Sequence, residues 1–482
     1  MEKVLWKTKH SVKCEFCLDC SLSKDNLINY IEIHNKIKAF GLYNFQNCRI
    51  PVFSRLNVSY IRQKLVNYSN YQVCDFLEYG WPVVHNGISI RSSSCRNHTG
   101  ATDFPEQITR YLIKEASYQA VVGPSKDNPF NDPIALSPLN SVPKKDSSER
   151  RVFVDLRFPE GESVNFGFLK DGYLGNTISV SYLKVDDLIH LIKLKGQGCM
   201  IFKRNLKRAY RQLAVDPADI HLLGYKWRGH VYFDRVLTMG LRSAAYMCMR
   251  TTSAIAYICK DIGIDILNYL DNLAGCESQE KCWDAFNNLG HILDRCGFEE
   301  SVEKACPPNT NMIFVGILFD AKKLTISIDE QRLAEISQLV LDWLTKQVCN
   351  KKELQSLLGK LNFVSQCVHP GRIFVNILLN WLREIPEKGQ ISIPDDFKLD
   401  LCWWRTFLPS YSEVSLMLSE EWSRADQVFF LDSCLTGCGG WMNVRYFHCS
   451  FLDFILSEML TVVVALKAWG SNFSGKKNSY QL

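Results

Sequence analysis

Short strand patterns and longer helical patterns alternate along the sequence from Ser141 to about Asp320. In the helical stretches apolar residues recur every three to four positions, and the strand stretches are short apolar runs. The strand patterns are RVFVDLRF and CMIFKRNL, the helical patterns are VSYLKVDDLIHLIKLKG and LRSAAYMCMRTTSAIAYICKDIG, and DILNYLDNLAG is typical of a hairpin. This order predicts an α+β fold with helices packed on an antiparallel sheet.

The flanking segments predict further units, and a length of 482 residues suits more than one domain. A helical pattern runs from Phe104 to Ala120, and a connector rich in Pro and Asn follows from Gly123 to Asn140. Residues 321 to about 390 are predicted to form a small helical unit. The last segment, from Gln427, predicts a strand, the turn GCGGW, another strand and the helix LSEMLTVVVALKAWG.

Positive charge is concentrated in one part of the chain. Residues 140–245 hold 18 Lys and Arg against 11 Asp and Glu, whereas the whole chain has a net charge of only +5. Local basic clusters of this kind bind phosphate backbones, so we expect a nucleic-acid partner; a solvated basic face is the alternative. No apolar window long enough for a membrane span and no secretory signal are found, which predicts a soluble protein of the cytoplasm or nucleus.

Nineteen cysteines are scattered along the chain, which favours reduced thiols over a disulfide framework. The first 50 residues contain Cys14, Cys17, Cys20, His34 and Cys48. This set has enough ligands for zinc, but its spacing matches no finger pattern. We therefore expect buried or incidental thiols and no zinc.

Four segments then follow one another in a set order: KRNLKRAYRQLAVDP, VYFDRVLTMGLRSAAY, ILNYLDNLAG and MIFVGILFD. In this order they resemble the palm motifs of reverse transcriptases. Two further segments, VPKKDSSERRVFVDLRFPEGESVN and LQSLLGKLNFVSQCVHPGRIF, most resemble the sequences of DIRS-type retrotransposons, which integrate with a tyrosine recombinase. The resemblance covers roughly residues 95 to 470. It implies a right-hand polymerase of fingers, palm and thumb with an antiparallel palm sheet, followed by a partial ribonuclease H-like α/β unit.

The resemblance also locates a metal site. Polymerases of this kind use two divalent cations, Mg²⁺ in this family, held by several carboxylates. The positions that supply those carboxylates are occupied here by Asn205, Asp271 and Asn272. Because an amide oxygen is neutral and cannot bridge two cations as a carboxylate does, metal binding is in doubt and this copy is predicted to be inactive. The alternative is ordinary hairpin chemistry, since Asn tolerates a positive φ better than most residues.

Three charged positions fit roles in binding the nucleotide or in proton transfer. Lys145 and Arg151 match finger residues that grip the triphosphate, for which a guanidinium fork is suited. Lys304, in VEKACPPN, matches the lysine of a later palm motif and is a candidate proton donor to pyrophosphate. Exposed surface charges without a ligand are the alternative for all three.

Two uncharged positions fit the same site. Tyr210 matches the aromatic residue that lies under the incoming sugar, although an aromatic there also suits a core. Gly240, in TMGLRS, matches a glycine that lets the backbone approach the template and the nucleotide, or it is a plain helix-start glycine. Met239 stands where such sequences often have a polar or aromatic residue, which puts that contact in doubt.

The C-terminal segment resembles the first half of a ribonuclease H domain. Asp432, in FLDSCLTGCGGW, fits the first catalytic carboxylate and Glu458, in LSEML, fits the second. Hydrolysis with two metals needs further acids, and none lies between Glu458 and Leu482. We expect no hydrolytic activity from this sequence, and surface acids are the alternative for both residues.

The sequence thus predicts the reverse transcriptase and partial ribonuclease H region of a degenerate, truncated retrotransposon copy. Its partners would be an RNA template, a DNA primer and deoxynucleotides. The predicted divisions are a cysteine-containing N-terminal region at 1–50, a helical lead-in and connector at 51–140, fingers and palm at 141–320, thumb or connection helices at 321–415, and a truncated ribonuclease H-like domain at 425–482. A nucleic-acid-binding protein retained without catalysis, and a relic without a role, are the rival hypotheses.

Overall fold

The protein is described from a computed structural model. The described residues are 31–32, 34–35, 51–85, 96–144, 148–168, 172–177, 184–368, 371–386, 389–411, 414–415, 427–434, 437–442, 445–450, 464 and 478–481. The chain divides into two compact units, Met1–Val414 and Ser415–Leu482.

Helices and strands alternate in the first unit, as the sequence predicts between Ser141 and Asp320. Its described α-helices are α1 (Val58–Lys64), α2 (Gln72–Tyr79), α3 (Thr99–Thr102), α4 (Pro105–Ser117), α5 (Val185–Lys195), α6 (Ala244–Asp261), α7 (Cys282–Cys296), α8 (Glu330–Thr345), α9 (Lys351–Val364), α10 (Gly371–Glu384) and α11 (Asp395–Phe407). Its strands are β1 (Val121–Ser125), β2 (Leu139–Pro143), β3 (Arg150–Val154), β4 (Gly172–Tyr173), β5 (Asn176–Thr177), β6 (Met200–Asn205), β7 (Gly224–Trp227), β8 (His230–Asp234), β9 (Ile266–Tyr269), β10 (Asn272–Glu277), β11 (Cys306–Asn309), β12 (Asn311–Phe314), β13 (Ile317–Asp320), β14 (Thr325–Ile328), β15 (Val348–Cys349), β16 (Ile391–Ser392) and β17 (Val414–Ser415), the last crossing into the second unit.

The sheet that positions the candidate site has four strands in the order β11-β6-β10-β9, all antiparallel to their neighbours. In the pairing of β6 with β10, Asn205 lies opposite Asn272 and Ile201 opposite Cys276. Strand β9 joins β10 through the turn at Leu270 and Asp271. The prediction that DILNYLDNLAG forms a hairpin is therefore confirmed: β9 and β10 are its two strands, and they belong to an antiparallel sheet. Polar residues lie where β6 ends, at Asn205, and where β10 begins, at Asn272.

Two long helices cover this sheet with their apolar sides. α6 buries Met247, Cys248 and Ile255, and α7 buries Phe286 and Leu289, among other side chains. Together with fully buried sheet residues such as Phe202 and Leu273 they belong to the main hydrophobic core of the unit. Burial of this apolar surface drives the packing of helices on the sheet.

The connector predicted from Gly123 to Asn140 is less irregular than expected. β1 extends over its first residues and β2 begins at Leu139. β1 pairs with β8, so backbone hydrogen bonding to a distant strand orders a segment whose Pro and Asn content indicates a loop. The helix predicted from Phe104 to Ala120 is confirmed as α4, which begins at Pro105.

The region after β14 is helical, as predicted. α8 begins after Asp329, whose carboxylate accepts hydrogen bonds from the amides of Gln331 and Arg332. α9 begins after Asn350, which forms a capping box with Glu353. Such caps satisfy amides that lack a partner within the helix, so these sequences fix where the helices start.

The second unit contains a four-stranded sheet in the order β20-β19-β18-β21, formed by β18 (Gln427–Cys434), β19 (Gly437–Met442), β20 (Arg445–Ser450) and β21 (Asn478–Gln481). β21 runs parallel to β18 and the other pairings are antiparallel. Phe429, Leu431 and Met442 form a small buried cluster on one face. The predicted helix LSEMLTVVVALKAWG lies outside the described residues, apart from the helical Val464.

The described cysteines are free thiols, most of them buried. Cys14, Cys17, Cys20 and Cys48 lie outside the described residues. His34 is fully buried, with Nδ1 3.0 Å from the carbonyl oxygen of Pro217 and Nε2 2.9 Å from Asp132 Oδ2. Both ring nitrogens of His34 are therefore engaged by the fold. No helix in the described part of the chain is both long and apolar enough to cross a membrane.

Candidate active site

The structure brings together the three residues that the sequence places at a metal site. Asn205 is the last residue of β6, Asn272 is the first residue of β10, and the two are paired in register. Asp271 lies in the turn before β10, and its carbonyl oxygen accepts a hydrogen bond of 2.8 Å from the amide of Leu206. The backbone thus fixes the positions of all three side chains.

The three side chains form a ladder of hydrogen bonds. Asn205 Nδ2 donates to Asn272 Oδ1 at 2.7 Å, and Asn272 Nδ2 donates to Asp271 Oδ1 at 3.0 Å. The carboxylate fixes the direction of the ladder, because it only accepts and so requires the NH₂ group of Asn272 to face it. Asn272 Oδ1 is then left to accept from Asn205.

The end of the ladder is an unsatisfied acceptor. Asn205 is 5% exposed, and its Oδ1 is buried without a hydrogen-bond partner among the described residues. A buried polar atom left in this state costs about 1 to 3 kcal/mol. Such orphans are rare in folded proteins and mark a position whose side chain is not chosen for stability.

A pair of divalent cations does not fit this set of donors. One carboxylate and two neutral amides are present, and an NH₂ group of one amide occupies the space between the two asparagines. Among the described residues no group of three or more His, Cys, Asp and Glu side chains is arranged to hold a metal ion. Burial, with the Asp271 carboxylate as a second cause, raises the pKa of Cys248 to about 12, so this neighbouring thiol stays protonated.

The turn that carries Asp271 is strained at the residue before it. Leu270 has a φ of 53°, in the left-handed region that residues with a side chain rarely adopt. Its amide faces Met249 Sδ at 3.1 Å. Asn272 is already in β10, so the residue with a positive φ is the leucine and not an asparagine. Turn chemistry therefore does not explain the Asp-Asn pair.

The remaining sequence-predicted residues of the first unit lie in several elements. Tyr210 is on the 3-10 helix Ala209–Gln212, partly buried against the main core. Arg151 is exposed on β3, and Lys304 is exposed at the end of the 3-10 helix Val302–Lys304. Lys145 lies outside the described residues.

Gly240 has a φ of 95°, which explains the glycine by backbone conformation. Among the described residues, an added Cβ would have one neighbour within 4 Å, the carbonyl oxygen of Val154 at 3.7 Å. The Gly240 carbonyl accepts a 2.7 Å hydrogen bond from Asn165 Nδ2. The adjacent Met239 is 47% exposed, so it presents an apolar side chain to solvent beside this turn.

In the second unit Asp432 is exposed on β18, opposite Gly439 of β19. His448 of β20 pairs with the same glycine. Glu458, the other expected acid, lies outside the described residues.

A buried ionic network near the site was not anticipated from the sequence. Arg211 pairs with Glu115 and with Asp234, both at 2.8 Å, and Arg208 donates to the same Glu115 at 2.5 Å. Burial alone would raise the pKa of Glu115, but Arg211 and Arg208 outweigh it and hold that pKa below its ordinary value. Burial raises the pKa of Asp234. The network anchors the 3-10 helix that carries Tyr210. Glu115 lies 93 and 96 residues from its two arginines, so no local sequence pattern reveals these pairs.

No family model and no curated protein matches this chain. Solved structures match it. The foamy viral protease-reverse transcriptase in complex with double-stranded DNA has a TM-score of 0.52 and 13% sequence identity, over 89% of this chain and 90% of that one. The foamy viral protease-reverse transcriptase dRH with double-stranded DNA gives 0.53 and 13%, over 90% and 76%. The complex of the viral enzyme with an RNA/DNA hybrid gives 0.51 and 14%, over 90% and 58%.

These likenesses define the fold. The chain has a reverse transcriptase-like fold of mixed helices and antiparallel sheets, and that part of the sequence prediction is confirmed. At 13% to 14% identity, the chemistry of the site has to be argued from its own residues.

Proposed function

We propose that this chain is the reverse transcriptase region of a retroelement, of the DIRS type, and that it binds a primed template without extending it. The observation that carries the proposal is the ladder Asn205, Asn272, Asp271 at adjoining strand ends of a reverse transcriptase-like fold. In this proposal β6, β9, β10 and β11 with α6 and α7 form the palm, and α8 to α11 form the thumb and connection. The assignment to the DIRS type of retroelement rests only on the resemblance of the amino-acid sequence.

The loss of activity follows from charge. Two cations bring a charge of +4, and about two of the negative charges that would offset them are missing at Asn205 and Asn272. A metal contributes several kcal/mol to transition-state stabilisation, and each 1.4 kcal/mol corresponds to about tenfold in rate. We therefore expect extension to fall by many orders of magnitude, even where Tyr210, Gly240, Arg151 and Lys145 still contact a nucleotide.

The strained turn supports a functional origin of the site. A positive φ at Leu270 costs about 1 to 2 kcal/mol for a residue with a side chain, and a turn under selection for stability alone would carry Gly or Asn there. Strain of this kind is typical of functional sites. The unsatisfied Oδ1 of Asn205 is the second such cost. Both suit a site whose geometry persists while its ligands have changed.

The second candidate function is that of a nucleic-acid-binding protein retained from a retroelement, in which binding alone is the role and no polymerase activity is required. The observation that favours it is that the ladder links Asn205, Asn272 and Asp271 to one another, which a catalytic metal site does not do. Asp432, exposed on β18, is proposed as a vestige of a ribonuclease H site that no longer hydrolyses RNA.

Fluorescence anisotropy of the full chain with a labelled DNA primer on an RNA template tests the binding part. We expect the apparent Kd to rise steeply with salt, because phosphate contacts release counterions. Replacing Mg²⁺ by EDTA at constant ionic strength should leave Kd unchanged. Failure to bind at low salt, or a Kd that improves markedly on adding Mg²⁺, would contradict the proposal.

A further inference from the structure

Two cysteines face each other at one end of the sheet that carries the candidate active site. Cys199 lies one residue before β6, and Cys276 is the last residue but one of β10. Their Sγ atoms are 4.0 Å apart and share a hydrogen bond. Asn205 and Asn272 lie at the other end of the same two strands. The pair of thiols is therefore separate from the site described above.

The backbone around Cys199 can bring the two sulfurs closer. A disulfide requires an S–S distance of about 2.05 Å. Cys276 lies opposite Ile201 in the pairing of β6 with β10, so Cys199 approaches it diagonally from just before the first paired residue. Gly196 and Gly198 precede Cys199, both with a positive φ, and glycine adopts other conformations at little cost. The remaining distance can thus be closed by side-chain rotation and a small shift of this turn.

The two cysteines are buried but adjoin partly exposed residues. Cys199 is 3% exposed and Cys276 is 2% exposed. Gly198 and Met200, on either side of Cys199, are partly exposed, and so is Glu277, which follows Cys276. The ends of strands open locally at a lower free energy than their centres, so a small molecule can reach sulfurs at this position. Burial to this degree favours an oxidant of the size of hydrogen peroxide over a bulky disulfide.

The hydrogen bond between the thiols gives them different reactivity. Thiolates, and not thiols, are the nucleophiles in oxidation. The hydrogen bond from Cys276 lowers the pKa of Cys199, because the donated S–H stabilises the Cys199 thiolate. The same hydrogen bond, together with burial, raises the pKa of Cys276. Burial raises the pKa of the nearby Cys282 to about 12. Cys199 is therefore the first sulfur to react, and Cys276 is placed to react with the product.

We propose that Cys199 and Cys276 are a reversible modification site, at which a hydroperoxide oxidises the two thiols to a disulfide that links the start of β6 to the end of β10. Cys199 sulfur attacks one oxygen of hydrogen peroxide; an S–O bond forms, the O–O bond breaks, and hydroxide leaves and takes up the thiol proton as water. Cys276 sulfur then attacks Cys199 sulfur; the S–S bond forms, the S–O bond breaks, and a second water leaves with the Cys276 proton. The two thiols lose two electrons, which the peroxide gains. The inference does not depend on whether the chain binds or extends a template.

Peptide mapping of the folded full chain tests the proposal. The protein is treated with hydrogen peroxide, free thiols are blocked with N-ethylmaleimide, and tryptic peptides are analysed by mass spectrometry with and without dithiothreitol. Trypsin cleaves, among other places, after Lys195, Lys203, Lys260 and Lys281. Cys199, Cys276 and Cys282 therefore lie in three different peptides, and every pairing among them gives a distinct mass.

We expect the wild type to give a peptide pair joined through Cys199 and Cys276, which dithiothreitol separates. Cys276→Ala should abolish the pair. The matched control is Cys282→Ala, which removes a buried thiol whose hydrogen bond goes to the carbonyl oxygen of Met200, and it should leave the cross-link unchanged. The oxidised wild type should melt at least about 3 °C above the reduced protein, because the cross-link restricts the unfolded chain, and Cys276→Ala should show no such gain.

Three results of the mapping would overturn the proposal. They are the absence of the cross-linked pair in the folded wild type, its formation only after urea has unfolded the protein, and the joining of Cys199 to Cys282 instead. A melting temperature that falls on oxidation would also overturn it, because the fold would then not accommodate the bond.

Discussion

An amide and a carboxylate have nearly the same shape, so Asn205 and Asn272 differ from aspartates in charge and in the donors they introduce. The ladder that ends at Asp271 shows the consequence, because each NH₂ group finds an acceptor within the set. Amides can therefore stabilise this arrangement with one another, whereas three carboxylates would repel unless a cation lay between them.

Restoring the carboxylates should make stability depend on metal. For the double variant Asn205→Asp with Asn272→Asp, we expect a melting temperature below that of the wild type in EDTA, because like charges are brought together. Millimolar Mg²⁺ should then raise it by about 2 °C or more through binding to the folded state. The control, Asn362→Asp on the exposed side of α9, adds a carboxylate away from the site and should respond as the wild type does. Equal responses of all three proteins to Mg²⁺, by differential scanning fluorimetry, would refute this expectation.

The buried pairs at Glu115 give a second expectation at the scale of single residues. Glu115→Gln leaves the charges of Arg208 and Arg211 without a shared carboxylate, so we expect a loss of about 3 kcal/mol in the free energy of unfolding. Urea denaturation of both proteins measures this. The exposed Glu106→Gln on the same helix is the control and should change stability by less than about 0.5 kcal/mol.

The same residue gives a pH dependence. Although burial opposes it, the two arginines hold the pKa of Glu115 below its ordinary value of 4.5. Its contribution is therefore fully present above pH 4.5 and is lost as the pH falls through the lowered pKa. In urea titrations between pH 6 and pH 3, Glu115→Gln should lack this part of the acid destabilisation. Parallel pH profiles for the variant and the wild type would show that the pairing contributes nothing.

Among the helices, α9 has one face of buried leucines and an opposite, exposed face that carries a glycine and a lysine. Leu354, Leu357, Leu358 and Leu361 are buried, while Gly359 and Lys360 are exposed. No atom of the described residues lies within 4 Å of the Cβ position at Gly359. In the proposed function, this face would approach a nucleic-acid groove, and the exposed Lys352 and Lys360 would contact phosphates.

We expect Lys352→Gln with Lys360→Gln to weaken binding of a primed template and to lower the slope of log K against log salt by about two, one for each phosphate contact. The control is Lys260→Gln at the exposed end of α6. Anisotropy titrations over a salt series measure both quantities. An unchanged slope in the double variant would remove α9 from the proposed interface.

Elements with a strong local pattern were predictable. The strands RVFVDLRF and CMIFKRNL and the helix that became α6 follow from apolar periodicity. The pairing of β1 with β8 and the network around Glu115 were not, because they join residues about 100 positions apart. The positive φ at Leu270 could not be predicted either, because the residue type in this turn that tolerates a positive φ is Asn272, two positions later.

At the scale of the whole molecule, the chain shares its fold with the viral structures at 13% sequence identity. The fold therefore depends on the pattern of apolar residues more than on the identity of particular side chains. Motif order was sufficient to predict this fold and to place Asn205, Asp271 and Asn272 together. The motifs carry no information on how the amides orient, which depends on hydrogen bonds across two strands.

Primer extension tests the central claim most directly, namely that the fold remains and only the metal ligands are lost. Four proteins are compared on one primed template with Mg²⁺ and deoxynucleotides: the wild type, Asn205→Asp, Asn272→Asp and the double variant. We expect negligible extension by the wild type, little by either single variant, and a strongly non-additive gain in the double variant, since a site for two metals needs its carboxylates together. Anisotropy confirms that all four bind the template. Brisk extension by the wild type would contradict the account, and so would a folded, template-binding double variant that extends no more than the wild type.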